Sequence, residues 1–396
     1  MPFEIKPGVH WVGKVDWELR SFHGQEYSTH RGSSYNSYLV RGERTVLIDT
    51  VWGPYAEEFM ENLTSIVPLS EIDAVVMNHN EPDHAGSLAR LMREIPNVPI
   101  HCTKMALQSI PGQFHGDWNL NPVKTGDSLD LGAGRTLTFV EMSMLHWPDS
   151  MASYLSGENI LFSNDAFGQH IASEGMYNDT VDPCELWAEA IKYYANILTP
   201  FSPLVLKKLA EITALGLPID MICPSHGIIW RDDPMQVVKQ YAAWAEDYAE
   251  DRIAILYDTM WDGTRRMAEA IAEGVREASP STEVRLYNTA RTDKNDCITE
   301  VFRAKGVLMG SPTINRGILH SVAGILEIIT GLKFRGKKAA AFGSFGWSGE
   351  SVKHITEALA RAGFDIVDQG LRLKWQPDQQ ALVQCRQFGQ RFVAAL

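Results

Sequence analysis

The side chains that could do chemistry are most concentrated in residues 79–84, which read HNEPDH. The segment follows the apolar run 74–77 and precedes a helical pattern, so we expect it to form a turn at the end of a buried strand. Side chains on such a turn can converge on one small volume, which predicts a metal site. The potential ligands in the segment are His79, Glu81, Asp83 and His84.

Three more potential ligands, His146, Asp165 and His226, each follow a predicted strand elsewhere in the first two thirds of the chain. Together with those of residues 79–84, they give more donors than one tetrahedral zinc ion can use, but the set suits two metal ions that share a carboxylate. A mixture of imidazole and carboxylate ligands favours iron or manganese. It also leaves coordination positions open for a small molecule.

A second group of candidate residues lies in three loops of the last third of the chain, each directly after a predicted strand. Residues 259–264 (TMWDGT) open a helix, where hydroxyl groups, backbone N–H groups and the helix N-terminus can bind a phosphate. No Gly-x-Gly-x-x-Gly fingerprint is present, which disfavours a dinucleotide. The candidate cofactor-binding residues are Thr259, Met260, Trp261, Asp262, Gly263, Thr264, Pro312, Thr313, Ile314, Asn315, Ser344, Phe345, Gly346, Trp347, Ser348 and Gly349.

The elements that must position these residues change in pattern near residue 250. Before it, short strands occur in pairs with helices between them, which predicts an α+β sandwich with helices outside two sheets. After it, five strands alternate with helical patterns, which is typical of a doubly wound parallel sheet. We therefore predict an N-terminal domain over 1–249 and a C-terminal domain over 250–396.

The composition excludes several classes of function. The formal net charge of −13 disfavours binding to nucleic acid or to an anionic membrane, because both attract basic surfaces. No apolar run is long enough to span a membrane, and the N-terminus does not resemble a leader peptide. The five cysteines are scattered without any Cys-x-x-Cys pair, so we expect reduced thiols and a soluble, cytoplasmic protein.

The pattern His-x-Glu-x-Asp-His-x-Gly, followed by His146, Asp165 and His226, resembles the metallo-β-lactamase-like domain of the flavodiiron proteins, or A-type flavoproteins. The loop at 259–264 resembles the FMN phosphate loop of flavodoxins. The resemblance covers nearly the whole chain, in the minimal two-domain form. It implies an αββα sandwich followed by a flavodoxin-like sheet, with FMN and two iron ions in each subunit. Hydrolytic relatives of the first domain carry His where this chain has Glu81, which favours iron over zinc.

Mapped onto this chain, the resemblance implies two sets of iron ligands. His79, Glu81 and His146 would hold one iron, and Asp83, His84 and His226 the other. Asp165 would bridge the two ions. Whether His84 binds iron stays open.

The resemblance also implies a function: reduction of nitric oxide to nitrous oxide, of dioxygen to water, or of both. It implies a head-to-tail homodimer, or a homotetramer made of two dimers. We expect rubredoxin or another reduced electron donor. The preferred gas and the identity of the donor stay open.

Two residues outside the ligand set, His23 and Tyr194, are predicted to line the substrate pocket and to donate hydrogen bonds there. His170 is interpreted as an ordinary residue. Two alternatives to a reductase remain at this point. One is a zinc-dependent hydrolase of the metallo-β-lactamase fold, and the other is a non-catalytic flavin electron-transfer protein.

Overall fold

The computed structural model describes the whole chain, from Met1 to Leu396. The chain forms two compact units. The first comprises residues 1–193 and 201–243, and the second comprises residues 194–200 and 244–396. The predicted boundary at 249/250 falls at the start of a strand, and as a domain boundary it stays a prediction.

The first unit contains sixteen strands, most of them short. They are β1 (Phe3–Lys6), β2 (Val9–Trp11), β3 (Lys14–Asp16), β4 (Ser21–Phe22), β5 (Tyr27–Ser28), β6 (Ser33–Tyr35), β7 (Tyr38–Arg41), β8 (Thr45–Ile48), β9 (Ile72–Val76), β10 (Ile100–Thr103), β11 (Leu120–Val123), β12 (Ser128–Gly132), β13 (Arg135–Glu141), β14 (Met151–Leu155), β15 (Ile160–Asn164) and β16 (Met221–Pro224).

Seven α-helices occur between or after these strands, the last of them at the junction with the second unit. They are α1 (Ala56–Thr64), α2 (Pro82–Ala85), α3 (Leu88–Glu94), α4 (Ala106–Phe114), α5 (Pro183–Tyr193), α6 (Ser202–Ala214) and α7 (Met235–Ala245).

Two mixed sheets form the centre of the first unit. One has the strand order β1-β2-β7-β8-β9-β10-β11 and the other the order β12-β13-β14-β15-β16. Alternate residues of the first sheet face opposite sides, as the pleat requires. Val40, Val46 and Val76 pack against Phe139 and Phe162 of the second sheet in one core cluster.

The other face of the first sheet is covered by helices. Leu47 and Val75 pack there with Phe59 of α1, Leu91 of α3 and Ile110 of α4. Because both faces are buried, these strands read as nearly continuous apolar runs rather than as a strict alternation. The predicted arrangement of two sheets with helices outside is confirmed.

The second unit is a six-stranded sheet with helical crossovers. All pairings in the sheet are parallel, and the order β18-β17-β19-β20-β21 is that of flavodoxin-like folds, with β22 also paired to β20. The predicted doubly wound sheet is therefore confirmed. Its elements are β17 (Glu250–Tyr257), α8 (Gly263–Ala278), β18 (Glu283–Asn288), α9 (Lys294–Arg303), β19 (Ala304–Gly310), α10 (His320–Leu332), β20 (Lys338–Phe345), α11 (Ser351–Arg361), β21 (Asp365–Ile366), β22 (Leu371–Lys374) and α12 (Gln379–Ala394).

None of the helices combines the length and the apolar composition that crossing a lipid bilayer would require.

Candidate metal centre and cofactor cleft

The predicted metal ligands of the first unit all lie where strands end. His79 and Glu81 follow β9, and the short helix α2 carries Asp83 and His84. The remaining three come from the second sheet: His146 from the β13–β14 loop, Asp165 after β15 and His226 after β16. The structure brings all seven side chains together, as the sequence predicted, and nearly all of them are buried.

The side chains form two groups, and within each group the nitrogen and oxygen donors lie within 4.8 Å of one another. The first group consists of His79, Glu81, His146 and Asp165. In it, Nε2 of His79 is 3.2 Å from Oε2 of Glu81, and Nε2 of His146 is 3.5 Å from the same oxygen. These spacings bring imidazole and carboxylate donors close enough to share one metal ion.

The second group consists of Asp83, His84 and His226. Oδ2 of Asp83 lies 2.8 Å from Nε2 of His226 and 3.1 Å from Nε2 of His84. His84 therefore directs a ring nitrogen at the same small volume as the other two residues.

Asp165 lies between the two groups. Its Oδ2 is 3.2 Å from Nε2 of His146 and 3.6 Å from Nε2 of His79. Its Oδ1 is 3.0 Å from Nε2 of His84 and 3.8 Å from Nε2 of His226. One carboxylate thus presents one oxygen to each group, which is the arrangement that a carboxylate shared by two metal ions requires.

Several polar atoms of the cluster are buried and, although donors and acceptors lie 2.8–3.1 Å from some of them, form no hydrogen bond of acceptable geometry. They include both carboxylate oxygens of Asp83, both ring nitrogens of His84 and Oδ1 of Asp165. Leaving such atoms unsatisfied costs about 1–3 kcal/mol each, more for charged groups, so folded proteins rarely do so without a ligand or ion. Of these atoms, Oδ2 of Asp83, Nε2 of His84 and Oδ1 of Asp165 lie within 3.1 Å of a neighbour in the cluster, and the residues present therefore fit a pair of hard or borderline cations.

The pKa shifts within the cluster also favour the binding of cations. Burial alone would raise the pKa of the Asp165 carboxyl, yet the neighbouring histidines hold it well below its usual range. Burial alone would lower the pKa of His84, yet the charges of Asp83 and Asp165 raise it to about 9. The lowered pKa of Asp165 and the raised pKa of His84 both show that the cluster favours bound positive charge, which metal ions would supply in place of protons.

A cavity of about 340 Å³ in the first unit is lined by residues of the cluster, including Glu81 and Asp83, and by Phe22, His23 and Trp52. Nε2 of His23 lies 2.7 Å from Oε1 of Glu81. The backbone of His23 has φ 52°, in the left-handed region that few non-glycine residues adopt. The predicted pocket residue His23 therefore lies in contact with the cluster.

The other predicted pocket residue, Tyr194, lies elsewhere. It belongs to the second unit, and its ring packs 5.4 Å from that of Trp244 and 5.6 Å from that of Phe302. The preceding residue, Tyr193, is the last of α5 and is buried in the first unit. Burial and the charge of Asp165 raise the pKa of Tyr193 well above its usual value. Tyr193 is therefore a tyrosine that interacts electrostatically with the cluster.

His170 is a residue near the cluster that the sequence did not single out. Its ring centroid lies 4.7 Å from that of His226, and its Nδ1 is 2.8 Å from Oγ of Ser33. The available signal was its position five residues after Asp165, in the same strand-end loop.

A second cavity, of about 370 Å³, lies in the second unit where the strands of the parallel sheet end. Ten of the predicted cofactor-binding residues line it. They are Thr259, Met260, Trp261, Gly263, Pro312, Thr313, Ser344, Phe345, Gly346 and Trp347.

The other six predicted residues are not among those that line the cleft, although they belong to the same loops. Asp262 precedes α8 in the left-handed conformation and directs its carboxylate to Arg265 at 2.8 Å, while Thr264 lies beneath the loop with its Oγ1 3.1 Å from Oγ of Ser344. The remaining four are Ile314, Asn315, Ser348 and Gly349.

Trp375 and Gln376 also line the cleft and were not predicted. They follow β22, a strand that sequence analysis missed. The alternation of apolar and charged residues in 371–374 (LRLK) was the available signal.

The cleft fits a phosphorylated aromatic ligand. Oγ1 of Thr259 is buried there without a hydrogen-bond partner, close to the start of the sixteen-residue helix α8. A helix N-terminus together with a free hydroxyl can bind a phosphate. Trp347 and Trp375 are 89% and 62% exposed beside it, which leaves their ring faces open to stacking.

Comparisons with known proteins agree with both units. A family model described as ODP family beta lactamase matches residues 34–227, and one described as flavodoxin matches residues 255–389. Anaerobic nitric oxide reductase flavorubredoxin of Aeromonas salmonicida is 53% identical over 392 residues, covering 99% of this chain and 75% of the relative. The protein of the same name from Escherichia coli is 54% identical, covering 98% of this chain and 81% of the relative.

Solved structures give the same result. The chain superposes on rubredoxin oxygen:oxidoreductase from Desulfovibrio gigas with a TM-score of 0.96 and 38% identity, over 100% of this chain and 98% of the other. It superposes on a flavodiiron protein from Giardia intestinalis with a TM-score of 0.94 and 35% identity, over 100% and 96% of the two chains.

Proposed function

The chain belongs to the flavodiiron protein family, and from this premise we propose that it reduces nitric oxide to nitrous oxide, dioxygen to water, or both, at two irons that receive electrons through FMN. The observation that carries the proposal is the position of Asp165, whose two oxygens face two separate groups of donors. His79, Glu81 and His146 would hold one iron and Asp83, His84 and His226 the other, with Asp165 shared between them.

The bound cofactors would supply the redox chemistry, because a pair of irons can bind a diatomic gas and FMN can accept electrons in pairs and release them singly. The protein supplies the rest. Residues 259–264 and the start of α8 would bind the FMN phosphate, and Trp347 would stack on the flavin ring. The mixed donor set, with Glu81 in place of a further histidine, favours iron over zinc.

The chain also binds the substrate and handles protons. The cavity beside Glu81 and Asp83 has ample room for a diatomic gas, and Phe22 and Trp52 give it apolar walls that suit an uncharged molecule. Both reductions consume protons. His23 can carry a proton on Nε2, directed at Oε1 of Glu81, and its side chain is 37% exposed, so solvent can reprotonate it. Tyr193, whose ring lies 5.3 Å from that of His170, would be the tyrosine nearer to the cluster, rather than Tyr194.

The relatives carry names of reductases, so a zinc-dependent hydrolase and a non-catalytic electron-transfer protein are not favoured. The proposed donor is a reduced rubredoxin or another small redox protein, since the names of two relatives contain the word rubredoxin.

The proposed assembly is a head-to-tail homodimer or a homotetramer. Light scattering gives its mass. Mixing an Asp165→Ala chain with a flavin-free chain tests whether FMN of one chain serves the metals of another.

The deciding experiment is rapid anaerobic mixing of the reduced, iron- and FMN-loaded protein with nitric oxide and, separately, with dioxygen. We expect at least one gas to reoxidise the flavin within the enzyme's turnover time. Steady-state consumption of both gases, with chemically reduced rubredoxin as donor, then gives the preference. Failure of both gases to reoxidise a protein that contains two irons and one FMN per chain would refute the proposal.

A further inference from the structure

The proposed ligand sets of the two irons contain the same donors. Each has two imidazoles and one carboxylate of its own, and the two share Asp165. Any electronic difference between the irons must then come from the residues behind the ligands. In several metalloproteins these outer contacts fix ligand orientation and basicity, and their loss costs about 10- to 100-fold in metal affinity or activity.

The outer nitrogens of three ligand histidines face different surroundings. Nδ1 of His226 lies 2.7 Å from the backbone oxygen of Ser34, a neutral acceptor. Nδ1 of His84 is buried without a hydrogen-bond partner. Nδ1 of His79 faces a carboxylate, because it lies 3.5 Å from Oδ1 of Asp149.

Asp149 is held firmly in this position. It is buried, and its Oδ2 accepts hydrogen bonds from Nδ2 of Asn80 at 2.5 Å and from Oγ of Ser109 at 3.0 Å. Oγ1 of Thr103 donates to its backbone oxygen at 3.1 Å. With Oδ2 anchored by two donors, Oδ1 is left to face His79.

Oδ1 of Asp149 and Nδ1 of His79 are both buried, and neither has a hydrogen-bond partner elsewhere. These two atoms can therefore form a hydrogen bond with each other. Pairing requires that Nδ1 of His79 carries the hydrogen, which leaves Nε2 as the metal-binding nitrogen. Nε2 already points to the cluster, 3.2 Å from Oε2 of Glu81 and 3.6 Å from Oδ2 of Asp165.

We propose that Asp149 is a positioning residue that fixes the tautomer of His79 and makes the iron bound by His79 the harder of the two to reduce. A carboxylate behind an imidazole increases the basicity of the ligand, and a more basic ligand stabilises the higher oxidation state of the metal. His226 has only a neutral carbonyl in the same role. The inference rests on the iron ligands of the proposed function.

The proposal predicts an unusual order among variants. In Asp149→Asn, the two donors that face Oδ2 require an oxygen at that position, so the amide nitrogen turns towards Nδ1 of His79. Two donors would then oppose each other, and the tautomer that binds metal through Nε2 is disfavoured. In Asp149→Ala, a water molecule can enter and accept from Nδ1. The isosteric variant should therefore bind iron more weakly than the truncated one.

The test loads apo-protein of each variant with Fe²⁺ and measures the affinity of the weaker-held iron by competition with a chelator. We expect a loss of about 10- to 100-fold for Asp149→Asn and a smaller loss for Asp149→Ala. Ser109→Ala, which removes one donor to Oδ2 but leaves Oδ1 free to face His79, should bind iron nearly as well as the wild type. Far-UV circular dichroism and thermal unfolding of each apo-protein report whether the first unit folds, because the FMN cleft lies in the second unit.

A second readout is an EPR-monitored redox titration of the variants that retain two irons. In Asp149→Ala the two one-electron steps should move closer together, so the maximal mixed-valent signal should fall below that of the wild type. The inference is overturned if Asp149→Asn binds iron as well as the wild type, or better than Asp149→Ala, or if the mixed-valent signal of Asp149→Ala is unchanged. A wild-type protein that cannot bind two irons refutes the proposed function itself.

Discussion

Nε2 of His23 lies 2.7 Å from Oε1 of Glu81, while the other oxygen of that carboxylate, Oε2, lies 3.2 Å from Nε2 of His79. A single carboxylate thus connects a partly exposed histidine of the cavity with a buried histidine of the cluster. In the proposed function, His23 is the group that would take up protons from solvent and deliver them to the cavity that it lines.

Replacement of His23 tests this connection. His23→Gln keeps a hydrogen-bonding group but cannot carry a proton, so we expect turnover to fall by about 100-fold or more, in line with general acid catalysis. Iron and FMN content should not change. The control is His115→Asn. His115 is exposed, and its backbone is in the left-handed region, a conformation that asparagine tolerates. Equal turnover of the His23 variant and the control would contradict a role in proton delivery.

Removal of the shared carboxylate tests the paired metal centre. Asp165→Ala removes both carboxylate oxygens, one of which faces each group. We therefore expect iron content to fall to one ion per chain or less. FMN content should stay near one per chain, because the cofactor cleft lies in the other unit. Metal and flavin analysis of the purified variant measures both, with the exposed Asp117→Ala as the control. Retention of two irons would rule out Asp165 as the bridge.

Trp347 offers a test of the flavin site that leaves the metal site untouched. The residue lines the cleft with 89% of its surface exposed, so Trp347→Ala removes a stacking surface without creating a cavity in the core. A stacking contribution of about 1–1.5 kcal/mol corresponds to roughly a tenfold weaker affinity for FMN. Fluorescence titration of the apo-protein measures it. Trp17→Ala, at a half-exposed tryptophan of the first unit, should bind FMN normally.

The hydroxyl of Thr259 tests the phosphate position in particular. Since Oγ1 is buried without a protein partner, Thr259→Val should not destabilise the protein. If the hydroxyl binds the phosphate, the variant should lose about 10- to 100-fold in affinity for FMN, the effect of a hydrogen bond to a charged group. Its affinity for riboflavin, which has no phosphate, should not change. Thr356→Val, where the hydroxyl bonds within a helix, is the control. An equal loss of affinity for FMN and for riboflavin would mean that the hydroxyl of Thr259 does not bind the phosphate.

Lys337 predicts how the stability of the second unit depends on pH. Its Nζ donates to the backbone oxygens of Tyr248, Phe302 and Ala304, yet burial lowers its pKa from 10.5 to about 7. Between these two values the unfolded chain binds the proton more strongly than the folded chain does. The free energy of unfolding should therefore rise with pH by about 1 kcal/mol per pH unit just above pH 7, because of this group.

Lys337→Met should remove that rise, while the exposed Lys353→Met should retain it. Denaturant unfolding at pH 7 and pH 8, followed by a signal from the second unit, gives the difference between the two variants. The same pH dependence in both would show that Lys337 keeps its usual pKa in the folded protein.

The sequence located the residues that the structure brings together because they lie at strand ends, and strand ends can be located from apolar runs. Residues 79–84 follow such a run directly, and their spacing already indicated a shared volume. The same reasoning located the loops after β17, β19 and β20 in the second unit. In each of these cases the position along the chain determines which edge of a sheet the side chain reaches.

The predictions failed where orientation depended on a single residue. Tyr193 and Tyr194 are adjacent, but consecutive helical residues point about 100° apart, and α5 ends between them. Trp375 was missed because β22 has only four residues and follows another short strand. Asp149 and His170 lie in the same loops as the predicted ligands His146 and Asp165, but the contacts that direct their side chains to the cluster, with Asn80 and Ser109 for Asp149 and with Ser33 for His170, come from segments distant in sequence.

The seven predicted ligands come from the ends of strands in both sheets of the first unit, so an unfolded chain cannot hold them near one another. Only residues 79–84 lie close enough together in the unfolded chain to bind an ion before folding, and they do not supply the complete set of proposed ligands for either iron. At the proposed centre, metal loading would therefore follow the pairing of the two sheets. If the proposed function holds, a shortage of iron would leave a folded apo-protein without gas-reducing activity, which later addition of iron could activate.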